Sequence, residues 1–586
     1  MRNRTLKNYL LSTVAVLAVT ATAISFGPGA VAKDKGKTQT VTETVDALST
    51  KTPIKHLVVI FNENRSFDHY FGTYPNALNP DGEPRFEPAK NTQTDINNFL
   101  LQPTLLNDNP NLNPANNVAP AGKALGSMAS NPFRLDRTQA NTADQNHGYT
   151  AEQAAYNNGL NDLFPLDTGS GSSGGAGGFG NNAQVMGYFD GNTVTAFWNY
   201  AQNYAMSDNA WTDTFGPSTP GALEMFSGQT NGVTFPVLSP ALLPPGTPDT
   251  NAGIGPLLLA AGVAVLNPDN SLTLFSDIDP AFDTCSSTAI AARMTSKNIG
   301  DLLNGANIPW GSFVGGFDLQ TTNANGSTGC GRSTKSPVTG ETEGDYVPHH
   351  IWFQYYQSTS NPNHTLPSSP ASIGLADQAN HAYDLNQFEN AVASGNYPAV
   401  SFIKQASFQD GHPGNSNPLD EQTGVVDLIN FLQQQPDWDS TAVIINYDDS
   451  DGWYDHASAL ISHGSFSAAD VLNGANDCGI PGATAEPDGI KGGPVAGRCG
   501  PGTRTPFLVI SPFAKKNFVS HVLISQASIP QFIEDNWLDG ARLGTGSFDA
   551  TTGSIMDMFD FKKSNTNPLL LDPTVGTVDS SKKSKS

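Results

Sequence analysis

The sequence predicts an α/β fold: an α/β/α sandwich around a central, mostly parallel sheet, with long loop insertions. Three observations predict it. Short continuous apolar runs, among them residues 57–61 and 441–446, read as strands buried on both faces rather than as helices. Helical stretches such as 425–434 and 529–537 alternate with them. The strands also end repeatedly in polar, chemically capable residues, as in open α/β sheets that bind ligands past the carboxyl ends of their strands.

The stretch that organises the chain is residues 54–74, IKHLVVIFNENRSFDHYFGTY. Its strand is followed at once by Glu63 and Asn64, then Arg65, Ser66, Phe67 and Asp68. A carboxylate and an amide oxygen at a strand's carboxyl end are placed to hold a hard metal ion. They read equally well as a helix start, with Asn62 or Asn64 capping and Glu63 favoured by the dipole. Within this stretch ENRSFDHYFG resembles the opening signature of the bacterial phosphoesterase family, which contains acid phosphatase A and the phospholipases C. Further motifs extend the resemblance to about residue 537.

The N-terminus carries a processing signal. Arg2, Arg4 and Lys7 form a positive start, residues 10–24 are apolar, and Ala30-Val31-Ala32 has the small residues of a cleavage site. A signal peptide over residues 1–32 is expected, and with it export to the periplasm or the medium. The apolar run is short for a span, so no stable membrane anchor is expected after cleavage. Polar residues 33–52 read as a flexible lead-in. Residues 53–560 read as one domain and 561–586, ending in Lys and Ser, as a disordered tail.

Composition narrows the partners. The formal net charge is −24, and loss of the three positive signal residues leaves −27. Such an acidic surface argues against nucleic acid and against holding anionic lipid by charge. A phosphate ester is repelled too, so a site for one needs concentrated positive charge from a metal, His or Arg. Four cysteines suit an exported chain. Of three possible connectivities the nearest-neighbour one is expected, Cys285–Cys330 and Cys478–Cys499. No CxxC spacing supports cysteine-ligated zinc.

Taken in order, the remaining elements add candidate site residues. After a long excursion at 76–132, NHGYTAEQ at 146–153 places His147 on a loop before a helix start. A lone His is more often structural, but the family has a similar stretch with its His in the site. Residues 171–175 match G-x-S-x-G without the strand before and helix after that a nucleophile elbow needs. Residues 196–206 have the helical spacing of core residues. GPSTPG at 216–221 reads as a turn entering a helix. Ser218 is there either an ordinary cap or a nucleophile at a helix N-terminus, where free N–H groups favour a phosphoryl group. In the resembling family this element carries the nucleophile.

His349 and His350 are adjacent, so they serve one site only from a loop or bend; a similar pair lies in the family's site. His412, in DGHPGN, follows the strand at 399–403. The strand at 441–446 ends in Tyr447-Asp448-Asp449. Two adjacent carboxylates after a buried strand are costly unless a cation neutralises them, the other reading being a solvated turn. Asp455 and His456 match a recurrent family pattern and read as structural.

The resemblance implies an alkaline-phosphatase-like core with one divalent metal ion. Glu63, Asn64, Asp448 and Asp449 would hold it, with the Ser218 hydroxyl as fifth ligand; an all-oxygen shell suits Mg, Ca or Mn better than zinc. Ser218 would be the nucleophile and form a phosphoserine. His147, His349, His350 and His412 would hold the non-bridging oxygens, and one would protonate the leaving group. Since His gains charge below about pH 6.5, an acidic optimum is expected. GPSTPG is closer to the acid phosphatase branch; the phospholipase C branch has Thr there, followed by HPNR. The expectation is therefore an exported acid phosphatase cleaving phosphomonoesters. The alternative is a phospholipase C cleaving phosphodiesters, for which a choline headgroup would want an aromatic cage.

Overall fold

The computed structural model describes residues 40–117, 128–170, 182–236, 250–287, 290–458, 460–480 and 482–579. The expected signal peptide and the G-x-S-x-G match lie outside them. The central sheet has eight strands: β1 (His56–Asn62), β2 (Ala205–Ser207), β3 (Trp310–Val314), β4 (Ala382–Asp384), β5 (Val400–Lys404), β6 (Thr441–Tyr447), β7 (Phe507–Ile510) and β8 (Phe518–Ser520). Their order is β4-β3-β5-β1-β6-β7-β2-β8. Among these strands only β7 runs antiparallel to its neighbours. β1 lies parallel between β5 and β6, with Ile60 opposite both Ile403 and Ile445.

The continuous apolar runs follow from this placement, because both faces of the sheet are covered. On one face Leu57, Val59 and Phe61 of β1 pack with Leu223 and Phe226 of α5 (Ser218–Ser227) and Ile529 and Ile533 of α7 (Ser528–Trp537). On the other, Val58 and Ile60 pack with α2 (Phe67–Phe71), α4 (Thr195–Asn203) and α6 (Pro418–Leu432). Each such side chain taken fully from water contributes about 1.5–3 kcal/mol. The expected α/β/α sandwich is thus what forms. A further short helix, α3 (Tyr149–Tyr156), stands outside the three layers in a third apolar cluster.

Two segments expected to be loose are packed over their described residues. Residues 40–52 contain α1 (Val41–Asp46), capped by a reciprocal Thr40–Glu43 box, with Val41 and Val45 buried. The TVTE at 40–43 is a local signal strong enough to have marked that helix. Thr52 then donates to Asn536 at the end of α7. At the other end, residues 561–579 run over α6. Asn430 exchanges hydrogen bonds with the backbone of Leu571, and Gln433 does so with Leu569. α6 itself starts earlier than the apolar spacing predicts, because Asn417 caps it and Pro418 fits its first position.

Cys285 pairs with Cys330 and Cys478 with Cys499, the expected connectivity, and this is consistent with export. Among the described residues no helix is long and apolar enough to cross a membrane.

One contact locks α5 onto the sheet. Gly221 sits against the backbone of Asp448, just past β6, and a Cβ there would collide with the Asp448 carbonyl. Gly221→Ala is therefore expected to push α5 away from the strand end, at a cost of about 1–3 kcal/mol. Thermal unfolding should show a Tm several degrees lower, and most activity should go with it. An unchanged Tm would contradict this packing.

Candidate active site

The strand register brings the candidate ligands together. β1 and β6 are neighbours with Asn62 opposite Tyr447. The residues that follow, Glu63–Asn64 on one strand and Asp448–Asp449 on the other, therefore emerge at the same level. Asn64 turns at a φ of 63°, a left-handed conformation that Asn tolerates better than most residues. Its N–H donates to Asp448 Oδ1 at 2.9 Å, and the Asp449 N–H donates to the same oxygen at 2.8 Å.

Ser218 arrives from the opposite side as the first residue of α5. Pro217 is the N-cap, so the Ser218 hydroxyl does not cap the helix and is free to face the acids. Its Oγ lies 3.0 Å from Glu63 Oε2, 3.2 Å from Asp449 Oδ2 and 3.4 Å from Asn64 Oδ1. At the helix start, the Thr219 N–H donates to Asp277 at 2.9 Å. All five candidate ligands are buried, and Ser218 is only 1% exposed.

The four histidines gather at this end of the sheet. His349 and His350 lie on a single 3-10 turn, Pro348–His350, which is how adjacent rings serve one site. His350 Nδ1 is 3.2 Å from Glu63 Oε1, and its ring stacks on His412 at 5.7 Å. His147 meets His412 edge-on at 6.1 Å, and His147 Nε2 approaches Asn64 Nδ2 at 3.4 Å. His349 Nδ1 is 3.8 Å from Asp279 and its ring 4.4 Å from that of His350.

Four site residues had no role in the sequence reading. Lys404, the last residue of β5, donates to Glu63 Oε1. Asp410 lies behind it, 3.9 Å from Lys404 Nζ. Asp451 accepts from Asn64 Nδ2 at 3.0 Å and lies 3.4 Å from His147. Glu152 accepts from the Gly216 N–H at 2.9 Å and from Ser450 Oγ at 2.6 Å, tying the Ser218 turn to the Asp449 loop. All four stand inside or beside stretches already singled out, and a charged residue ending a buried strand was the available signal for Lys404. Asp455 and His456 take part in a buried ion-pair network with Asp68 and Arg504. His456 Nδ1 is 2.6 Å from Asp68 Oδ2, and Arg504 bridges Asp68 and Asp455 beneath α2.

So many buried acids cannot all ionise. Burial, reinforced by the charge of Asp448, holds Glu63 well above its ordinary pKa despite Lys404. Burial and Asp448 do the same to Asp449, and burial and Asp144 to Asp451. Asp410 is pushed by burial up to about 7. Asp448 moves down: burial opposes, but hydrogen bonds and Lys404 prevail. Its Oδ2 is nonetheless buried with no hydrogen-bond partner. This surplus of negative charge, the orphaned oxygen and the oxygen-only set Glu63, Asn64, Asp448 and Asp449 fit a hard divalent ion. Two further groups, Glu63–His350–His412 and Asp144–His147–His412, each have their ligand atoms within 4.8 Å of one another.

The histidines do not titrate as a set, and this corrects the reasoning from their ordinary pKa. Burial alone would lower His147, but Asp451, Asp144 and Asp277 outweigh it and raise it to about 9. The approach of Asn64 Nδ2 would suit a neutral ring, yet one weak contact does not offset three carboxylates. Asp279 and Asp277 likewise outweigh burial and raise His349. Burial, then the charges of His349 and Lys404, hold His350 far down. Burial and His147 hold His412 below its ordinary value. His147 is thus a cation at neutral pH, His349 is pushed toward its charged form, and His350 is uncharged.

The model of the Phosphoesterase family matches residues 54–538. Phospholipase C B of Mycobacterium tuberculosis is 22% identical over 537 residues, covering 87% of this chain and 78% of that protein. Non-hemolytic phospholipase C of Burkholderia pseudomallei is 23% identical over 491 residues, covering 83% of this chain and 55% of that protein. Among solved structures, a protein in the alkaline phosphatase superfamily from Vibrio parahaemolyticus is 12% identical, covers 76% of this chain and 78% of that chain, and has a TM-score of 0.25. So low a score carries no argument.

The raised acids predict a pH dependence of stability. A carboxyl whose pKa rises on folding keeps a proton that the unfolded chain releases, so stability falls as pH rises between the two values. For Glu152 and Asp410 that window runs from the ordinary carboxylate range up to about 7. The metal-stripped chain should therefore lose Tm from about pH 5 to about pH 7. A divalent ion at about 100 times its Kd should return about 2.7 kcal/mol. A Tm that rises across this range in chelator would contradict the charge balance described.

Proposed function

The chain belongs to the Phosphoesterase family and is a phosphoric ester hydrolase; on that premise we propose that it is an exported, metal-dependent acid phosphatase that cleaves phosphomonoesters through a phosphoserine at Ser218. The observation that carries this reading is the Ser218 hydroxyl, buried at the start of α5 within 3.0–3.4 Å of Glu63, Asp449 and Asn64.

Glu63, Asn64, Asp448 and Asp449 would hold one divalent ion, which when bound supplies positive charge that lowers the pKa of a nearby hydroxyl. Ser218 Oγ passes its proton to a neighbouring carboxylate and attacks phosphorus. The Oγ–P bond forms as the ester P–O bond breaks. His147, charged at neutral pH, and His349, pushed toward its charged form, pair with the non-bridging oxygens of the dianionic phosphate. His412 donates Nδ1–H to the Pro413 carbonyl at 2.7 Å, which leaves its Nε2 to carry the proton given to the departing alcohol. Water then cleaves the phosphoserine, with the same His412 nitrogen as base. Because His412 is held low, its proton is present only in acid; this supports an acidic optimum, set by one ring rather than four.

A second reading, phospholipase C, is favoured by the names of the relatives at 20–23% identity. A two-tailed lipid diester would have to reach a nucleophile that is 1% exposed, and a monoanionic diester needs less positive charge than this site offers. GPSTPG also departs from the phospholipase branch.

Initial rates on p-nitrophenyl phosphate and p-nitrophenyl phosphorylcholine across roughly pH 4–8 separate the two. Faster monoester cleavage, falling as pH rises above about 6, is expected. Preference for the choline diester would move the chain to phospholipase C. Ser218→Ala should lose at least about 10³-fold in kcat, and a fully active variant would sink the nucleophile assignment. His412→Gln should lose the acidic dependence along with most of the rate, whereas His147→Gln should lower the rate without moving the profile.

A further inference from the structure

Glu63 uses its two oxygens differently. Oε2 faces the nucleophile, 3.0 Å from Ser218 Oγ. Oε1 points the other way, to Lys404 Nζ and to His350 Nδ1 at 3.2 Å. Beyond them lies Asp410, whose Oδ2 is 3.8 Å from His350 Nδ1 and 3.9 Å from Lys404 Nζ and makes no hydrogen bond. Asp410 is fully buried. A cavity of 10 Å³, room for one small particle, opens between His350, Lys404, Asp410 and Asp345. His412 completes the surroundings, with a ring nitrogen within 4.8 Å of ligand atoms of both Glu63 and His350.

Without the lysine, Glu63, His350 and His412 are one carboxylate and two imidazoles with ligand atoms within 4.8 Å of one another, and the Asp410 carboxylate adjoins them, its Oδ2 3.8 Å from His350 Nδ1. That is a donor set for a divalent transition metal, softer than the oxygen-only set on the nucleophile side. We propose that it is a second cation position and that the Lys404 ammonium fills it, so that the chain binds one divalent ion where its donors could hold two. This rests on the reading above only in placing the first ion at Glu63, Asn64, Asp448 and Asp449.

First, Lys404 is delivered by the sheet, not by a mobile loop: it ends β5, which lies beside β1 in register, and it is 2% exposed. Second, its charge is placed where a metal's would be, facing Glu63 and Asp410 and opposite His350. An ammonium is a compact cation; here it donates to Glu63 Oε1 and sets its charge 3.9 Å from Asp410 Oδ2. Third, a divalent ion in the same cavity would meet a like charge at contact distance in a buried site, where repulsion is poorly screened. Lys404 also holds Oε1, which leaves Glu63 one oxygen for the nucleophile side. It is a positioning residue: it acts on Ser218 chemistry only through Glu63.

Metal stoichiometry tests this with a readout independent of turnover. The stripped full-length mature chain is titrated with Mn²⁺ and, separately, Zn²⁺ by calorimetry, and bound metal per chain is measured after desalting. The wild type should bind one ion. Lys404→Ala should bind two, and the added ion should disappear again in Lys404→Ala with His350→Ala. Lys404→Arg, which keeps the charge, should stay at one. Should Lys404→Ala fail to fold, Lys404→Gln, of similar size, takes the same test. Two ions on the wild type would overturn the proposal. So would one ion, bound with unchanged affinity, on both Lys404→Ala and Lys404→Gln; that result leaves the first ion standing. No ion on the wild type would instead overturn the metal-dependent reading itself, and this inference with it.

Discussion

The site depends on one constraint: five acids, Glu63, Asp410, Asp448, Asp449 and Asp451, are buried at one end of the sheet. Such a group is unstable by itself, because each buried charge has lost its hydration and repels the others. Lys404 and His147 offset only part of it. What remains, together with the unpartnered Asp448 oxygen, is a demand for more positive charge that the folded chain does not itself meet. The phosphate-ester chemistry proposed for the site is a way of meeting that demand with a metal ion.

The sheet is what makes so costly a cluster possible. β1 and β6 carry the acids in register, and both strands are buried on two faces by helices. The apolar packing that fixes them is extensive enough to hold several unfavourable charges in place. Gly221 lets α5 come close enough to present Ser218 to those acids. Glu152 joins the Ser218 turn to the Asp449 loop, so Ser218 and the acids are positioned relative to each other as well as to the sheet. The chain's overall charge of −24 opposes an anionic substrate. His147, raised by nearby carboxylates, turns that same acidity into local positive charge beside Asn64, and His349 is pushed the same way.

Much of this was legible in the sequence. Continuous apolar runs identified β1, β5 and β6 because two-sided burial leaves no room for polar residues. Asp448 and Asp449 stood out because two adjacent acids directly after a buried strand are costly, whereas Glu63 and Asn64 read equally well as a helix start without the family resemblance. Ser218 and the histidines needed the family resemblance, since a cap and a lone ring have ordinary explanations. Lys404 was missed because a lysine ending a strand looks like a solvent anchor, and only the third dimension turns it inward. Asp410 and Glu152 were hidden by plausible local roles in a turn and a helix start. The packed ends, α1 and residues 561–579, were read as loose because their partners, Gly395, Asn430 and Gln433, are remote in sequence. The separate titration of the histidines could not be read at all, because it depends on which carboxylates face which ring.

The most direct measurement is a search for phosphate on the chain during turnover. The enzyme is mixed with a saturating monoester, quenched in acid within the burst phase, digested and examined by mass spectrometry. Phosphate should be found on Ser218, in the peptide containing GPSTPG, and should vanish when the substrate is exhausted. Product release with phosphate on a histidine, or with no phosphorylated peptide under any quench, would contradict a serine nucleophile held among these acids.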